Sequence, residues 1–146
     1  MKFVILFLHV CLGMAGTFFS ALALHHLKLN NNAALLRWMR FEFFSSVLCT
    51  FFAALYYLQY YQPDKHILTN GKFPMAHFFM MEVKEHSFIF FILLSLYFQL
   101  RLFFSGFRQE EQFVKESEVV IWCLIILSSL MSLMGLVVNF GFRINQ

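Results

Sequence analysis

The chain has 146 residues, of which 60% are hydrophobic, 20% aromatic and 13% charged, and its formal net charge is +3. That length suffices for one domain, but a soluble domain of this size cannot hide so much apolar surface, whereas a lipid solvent removes the need to hide it. The basic residues are spread among the links and form no patch, which argues against nucleic acid as a partner.

The first hydrophobic run, Phe3–Leu24, is uncharged and holds His9. Lys2 and the small-residue pattern Ala21-Leu22-Ala23 also suit a signal peptide. The run exceeds the usual h-region of about 7–15 residues, however, and reads as a retained span. At about 100° per residue, His9, Gly13, Gly16 and Ser20 share one helix face. Small residues on such a face let helices approach closely, or leave room for a flat ring beside an imidazole ligand. His25–Arg40 reads as a polar link in which Asn30–Asn32 turn the chain, and Trp38 between Arg37 and Arg40 suits a headgroup belt.

The second run, roughly Phe41–Tyr61, starts with Glu42 and is followed by a link, Gln62–Pro74, with an Asn70-Gly71 turn. Pro74 suits the first turn of the next helix. The third run reaches from about Met80 to Phe104 and begins with the charges of "MMEVKEH". Its periodicity places His77, Met81, Lys84, Phe88, Phe91 and Ser95 on one stripe, and Glu82 and His86 on another. Met75, His77, Met80 and Met81 are soft donors suited to Cu(I), or gap-filling core residues. After the charged link Ser105–Glu118 comes the fourth run, Val119–Phe142, in which only Asn139 is strongly polar.

These runs are too long, and alternate too little, for barrel strands. The expected architecture is all-α: a single integral membrane domain, an antiparallel four-helix bundle with spans at about 3–24, 41–61, 80–104 and 119–142. Lys28, Arg37, Arg40, Arg101, Arg108 and Lys115 flank the first and third links, which points those links to the cytoplasm. Cys11, Cys49 and Cys123 show no CxxC spacing and read as small apolar packing residues. No nucleotide-binding or hydrolase motif occurs.

An up-down-up-down chain returns to its starting side between the second and third spans. His9 and the group Glu82, Lys84, Glu85 and His86 therefore belong to one leaflet. Lys84 either faces the bundle or snorkels to the headgroups.

"FLHVCLGMAGTFFSALALHH", with its early His and Gly-rich helix, and "MMEVKEHSFIFFILLSLYF", with a Lys opening a later helix, resemble small bacterial membrane proteins of the HemJ-type protoporphyrinogen oxidase, CopD and SirB-like group. The HemJ type has a Trp and an LPRLF-like segment after its His, where this chain has Gly16 and "FFSALALHH". The resemblance implies a bacterial inner-membrane protein with haem b in the bundle and His9 as the metal ligand. Gly13, Gly16 and His86 would help to bind the cofactor. Lys84 would be the catalytic residue, serving substrate carboxylates or a proton. Protoporphyrinogen IX would be the porphyrin substrate and a quinone the electron acceptor. The residues equally allow a non-catalytic subunit of a larger membrane complex or a homo-oligomer, with a copper-handling protein as a third reading.

Overall fold

The computed structural model describes residues 1–105 and 111–145, and among these there is no strand. The helices are α1 (Lys2–Lys28), α2 (Asn32–Tyr56), α3 (Gln62–Thr69), α4 (Glu82–Ser105) and α5 (Glu111–Asn145). Single π-helical turns, Tyr57–Tyr61 and Ala76–Met81, extend α2 at its end and lead into α4. Four helical stretches are long and apolar enough to cross a membrane: Lys2–Lys28, Asn32–Tyr61, His77–Phe104 and Gln112–Gly141.

Each stretch outruns its hydrophobic run, because helices continue past the hydrocarbon until a cap or turn stops them. The expected polar link His25–Arg40 shrinks to a tight turn. Asn30 takes the left-handed conformation (φ 54°), which Asn tolerates better than most residues. Asn31 caps α2, its side chain accepting from the Ala34 amide at 3.2 Å. Leu35 and Met39, assigned to that link by sequence, are fully buried core residues. The expected link Gln62–Pro74 is mostly helix α3, and it turns after Thr69 at Asn70 as the Asn-Gly pair requires. Pro74 precedes the first turn of the next helix and offers its carbonyl to His77 and Phe78. In the third link, residues 106–110 lie outside those described, and 111–118 already belong to α5.

Residue pairs across the bundle fix its topology. His9 meets Cys49, and Ser45 bonds Leu12. Glu42 meets Ser95, and Met39 meets Gln99. Thr17 meets Ser128, and Lys28 meets Glu118. Residue numbers rise on one helix as they fall on the other in every pairing, so α1 and α4 run one way while α2 and α5 run the other. The end holding Lys2, Tyr61 and His77 is termed end A, and the end holding Lys28, Arg101 and Glu116 is end B.

Two apolar clusters fill the interior. The larger, with Ala23, Leu27, Leu35, Phe98, Ile121 and Leu124, extends from end B to Phe91 and Met131. The smaller, Tyr61 with Val138 and the flanking Met80 and Met81, closes end A. The outer surface is apolar as well: Phe3, Phe7, Phe44, Phe51, Phe90 and Phe103 are all exposed.

Candidate functional site

Within the larger apolar cluster, and from it toward end A, the interior carries a polar stripe. α2 presents Glu42, Ser45, Ser46 and Cys49 inward, all buried. Their spacing, i, i+3, i+4 and i+7, is that of one helical face. Sequence reasoning noted Glu42 and Cys49 separately and missed the stripe, although this spacing is visible once Ser45 and Ser46 are counted with them.

At the end A side of the stripe, His9 and Cys49 clasp α1 to α2. His9 Nδ1 lies 3.2 Å from the Cys49 carbonyl oxygen and 3.2 Å from its Sγ, while the thiol lies 3.3 Å from the His9 carbonyl oxygen. One proton assignment satisfies both residues. Nδ1–H donates to the Cys49 carbonyl and the thiol donates to the His9 carbonyl, a reciprocal pair that leaves the Nε2 lone pair as the acceptor of the ring. Ser45 adds a further clasp, donating to the Leu12 carbonyl at 2.7 Å.

Lys84 approaches this pair from α4. A Cβ placed on Gly135 would fall 3.1 Å from Lys84 Nζ, so the ammonium rests on bare backbone of α5. It acts electrostatically on both His9 and Cys49. Glu85, the exposed neighbour, acts on it in turn. Among the described residues no carboxylate stands within ion-pair distance of Lys84. The cluster His9, Cys49, Lys84 and Gly135 thus draws on α1, α2, α4 and α5 and carries one positive charge without a matched acid. Gly135 had no signal in the sequence beyond being the lone glycine between Met131 and Val138.

The α4 stripe is as periodicity requires. His77, Phe91 and Ser95 are buried and Lys84 half-buried, while Glu82 and His86 are exposed. His86 therefore faces away from the bundle interior. Its Nδ1–H donates to the Glu82 carbonyl of its own helix at 2.7 Å. The expected space on the glycine face of α1 is also filled. A Cβ at Gly13 would meet Cys49 Sγ at 3.6 Å, and one at Gly16 would meet Ser46 Oγ at 3.4 Å. These are ordinary contact distances, so Gly13 and Gly16 bring α2 close and leave no slot for a macrocycle between the two helices.

Haem b can be weighed on the same geometry. His9 has the required donor chemistry, since an Nδ1–H bonded to a carbonyl orients Nε2 toward a metal. The glycine cradle and His86 do not provide the rest, so the residues present do not fit a haem seated on that face. The Cu(I) donors are not gathered either. Met75 is exposed, Met80 and Met81 pack against Tyr61 and Val138, and His77 Nδ1 accepts the Tyr61 hydroxyl at 2.6 Å. No group of three or more His, Cys, Asp or Glu side chains able to hold a metal ion occurs among the described residues.

At end B, Arg101 and Lys28 are paired with acids. Arg101 forms an ion pair with Glu116, donates to the Tyr97 hydroxyl at 3.1 Å, and lies over the Phe113 ring at 5.3 Å. Trp38 stacks between Phe19 and His26, as a headgroup-level aromatic belt would. His26 Nδ1 and Ser117 Oγ are the buried side-chain atoms without a partner among the described residues.

The chain matches no protein-family model, no curated protein and no solved structure.

Proposed function

We propose that this chain is a multi-pass integral membrane protein, an antiparallel bundle of four spans, whose working site is the His9–Cys49–Lys84 cluster in the end A leaflet. Support for the membrane comes from the exterior. The many exposed Phe, Leu, Ile and Val side chains would drive a soluble monomer to aggregate, and lipid is the solvent that accepts them.

One observation carries the function: the Lys84 ammonium, drawn inward onto the Gly135 backbone beside His9, with no carboxylate of the described chain paired to it. A charge held within a span costs several kcal/mol unless something offsets it, so such residues mark sites of work. An ammonium meets carboxylate as a point charge, and His9 Nε2 beside it can accept or return a proton. The site suits a membrane-soluble ligand that carries a carboxylate and exchanges protons. The resemblance to the HemJ type supplies the most specific form: oxidation of protoporphyrinogen IX in a bacterial inner membrane, with electrons passing to a quinone. The placing of Lys84 within electrostatic reach of His9 favours that form, and the filled glycine face counts against haem b lying between α1 and α2.

Reduced-minus-oxidised absorption spectra of the purified protein, with and without added haem, test the redox form. A b-type spectrum lost in His9→Ala supports it, and a colourless protein that takes up no haem removes it. Carboxylate binding is tested by titrating a porphyrin dicarboxylate into nanodisc-embedded protein and its Lys84→Met variant.

A second reading is a non-catalytic subunit of a larger membrane complex. The tight α1–α2 clasp favours it, since Gly13, Gly16, Ser45 and Cys49 all serve helix contact. Co-purification with a fixed set of larger membrane proteins would select it.

A further inference from the structure

Glu42 takes no part in the site above. Its side chain is 0% exposed, and so is that of Ser95 across from it on α4. Ser46 Oγ donates to one carboxyl oxygen at 3.0 Å and Ser95 Oγ to the other at 2.7 Å. No cation pairs with the carboxyl among the described residues, and no charged or titratable side chain of α1, α4 or α5 acts on it electrostatically. Phe98, Met39 and Leu124, all fully buried, belong to the apolar core of this part of the bundle.

A carboxylate sealed among helices with two hydroxyls and no counter-ion carries an uncompensated desolvation cost of several kcal/mol. The protonated acid carries none, and its O–H can donate across the short contact to Ser95 while Ser46 still donates to the other oxygen. The same pocket therefore serves both protonation states with a reversal of one hydrogen bond.

The surroundings give the proton places to go. Toward end A, Ser46 stands one turn from Cys49, which is clasped to His9 beside Lys84. Toward end B, Ser95 stands one turn from Gln99, whose amide donates to the Met39 carbonyl at 2.5 Å. From Gln99 to Lys84 the α4 axis advances about 22 Å at ~1.5 Å per residue, most of a hydrocarbon thickness of about 30 Å. Polar side chains from α1, α2 and α4 recur over that length, and Glu42 is the buried carboxyl among the described residues.

We propose that Glu42 is a proton-exchanging acid inside the bundle, gaining and losing its proton through Ser46 and Ser95. The ligand of this second site is the proton. The proposal rests on the membrane reading for the cost of the bare charge, and resistance of the protein to alkaline extraction from membranes tests that reading separately.

Infrared difference spectroscopy on the full chain in lipid nanodiscs tests the proposal, comparing acidic with alkaline buffer in H2O and in D2O. The expected result is a carboxylic-acid C=O band that disappears at alkaline pH, shifts to lower frequency in D2O, and is missing from Glu42→Gln. That variant keeps the shape and hydrogen-bonding capacity of the side chain, so it preserves the fold. Ser46→Ala should move the band to higher frequency by removing the hydrogen bond donated to the C=O oxygen. Three results would overturn the proposal. One is a wild-type minus Glu42→Gln difference with no acid band at any pH, meaning a permanent carboxylate. Another is an acid band indifferent to D2O and to pH, meaning a sealed structural acid. The third is a band suppressed by sodium at constant pH, meaning a cation site.

Discussion

The two ends of the bundle treat charge in opposite ways. At end B, Arg101 is matched by Glu116, Tyr97 and the Phe113 ring, and Lys28 lies 3.6 Å from Glu118. At end A, Lys84 is turned inward onto Gly135, within electrostatic reach of His9, and forms no ion pair with a carboxylate of the described residues. Matched charges at a helix end cost little and hold α4 to α5 and α1 to α5. An inward ammonium without an acid serves no packing purpose that a Leu or Met would not serve better. The contrast separates scaffold from site, and substitutions at the two ends should separate in the same way.

The largest effect is expected at the seam on which both ends depend. Gly16→Leu forces a side chain into Ser46 at ordinary contact distance, and overpacking of this kind costs about 1–3 kcal/mol or more. Folded protein recovered in detergent should fall sharply, and the His9–Cys49 clasp should be lost with it. Thermal unfolding followed by circular dichroism checks this.

Next comes Lys84→Met. Binding of a porphyrin dicarboxylate should drop tenfold or more, about 1.4 kcal/mol, while stability holds or rises because an unpaired charge has been removed. A loss of stability would mean that the ammonium is structural and would erase the contrast between the ends. Gly135→Ala sharpens the point without removing the charge. Its methyl would crowd Lys84 Nζ at 3.1 Å, so the ammonium must shift and binding should fall by less than in Lys84→Met.

The smallest effects belong to end B. Glu116→Gln breaks the Arg101 pair, whose side chains are 24% and 38% exposed, and should leave stability nearly unchanged, with ligand binding unchanged. Glu118→Gln, facing a Lys28 that is 60% exposed, should be silent in both assays.

Much of this arrangement was legible in the residues, and the exceptions have physical reasons. Chain parity alone placed His9 and Lys84 at one end, and the 100° rule separated the stripe of His77, Lys84 and Ser95 from that of Glu82 and His86 without saying which stripe faces the interior. Helix ends were misread because hydropathy marks where apolar residues stop, not where backbone hydrogen bonding stops. Leu35, Met39 and Phe113 therefore fell into links although they are core. The glycine face was assigned to a cofactor because the periodicity of one helix reveals a groove without revealing what fills it. The filler is the Ser45-Ser46-Cys49 face of α2, an identity that only the pairing of the two helices supplies. Glu42 was noted as the start of a run, but its partner Ser95 lies 53 residues away on another span. No local pattern connects the two.

The central claim is that His9, Cys49 and Lys84 meet inside the end A half of the bundle. Cys49 is native and buried, while Cys11 and Cys123 are exposed and can be replaced by Ser. In that background, His9→Cys and Lys84→Cys should each cross-link to Cys49 in native membranes when treated with a short thiol-bridging reagent, and Arg101→Cys should not. Cross-linking of Cys49 to position 101, with none to positions 9 and 84, would contradict the account.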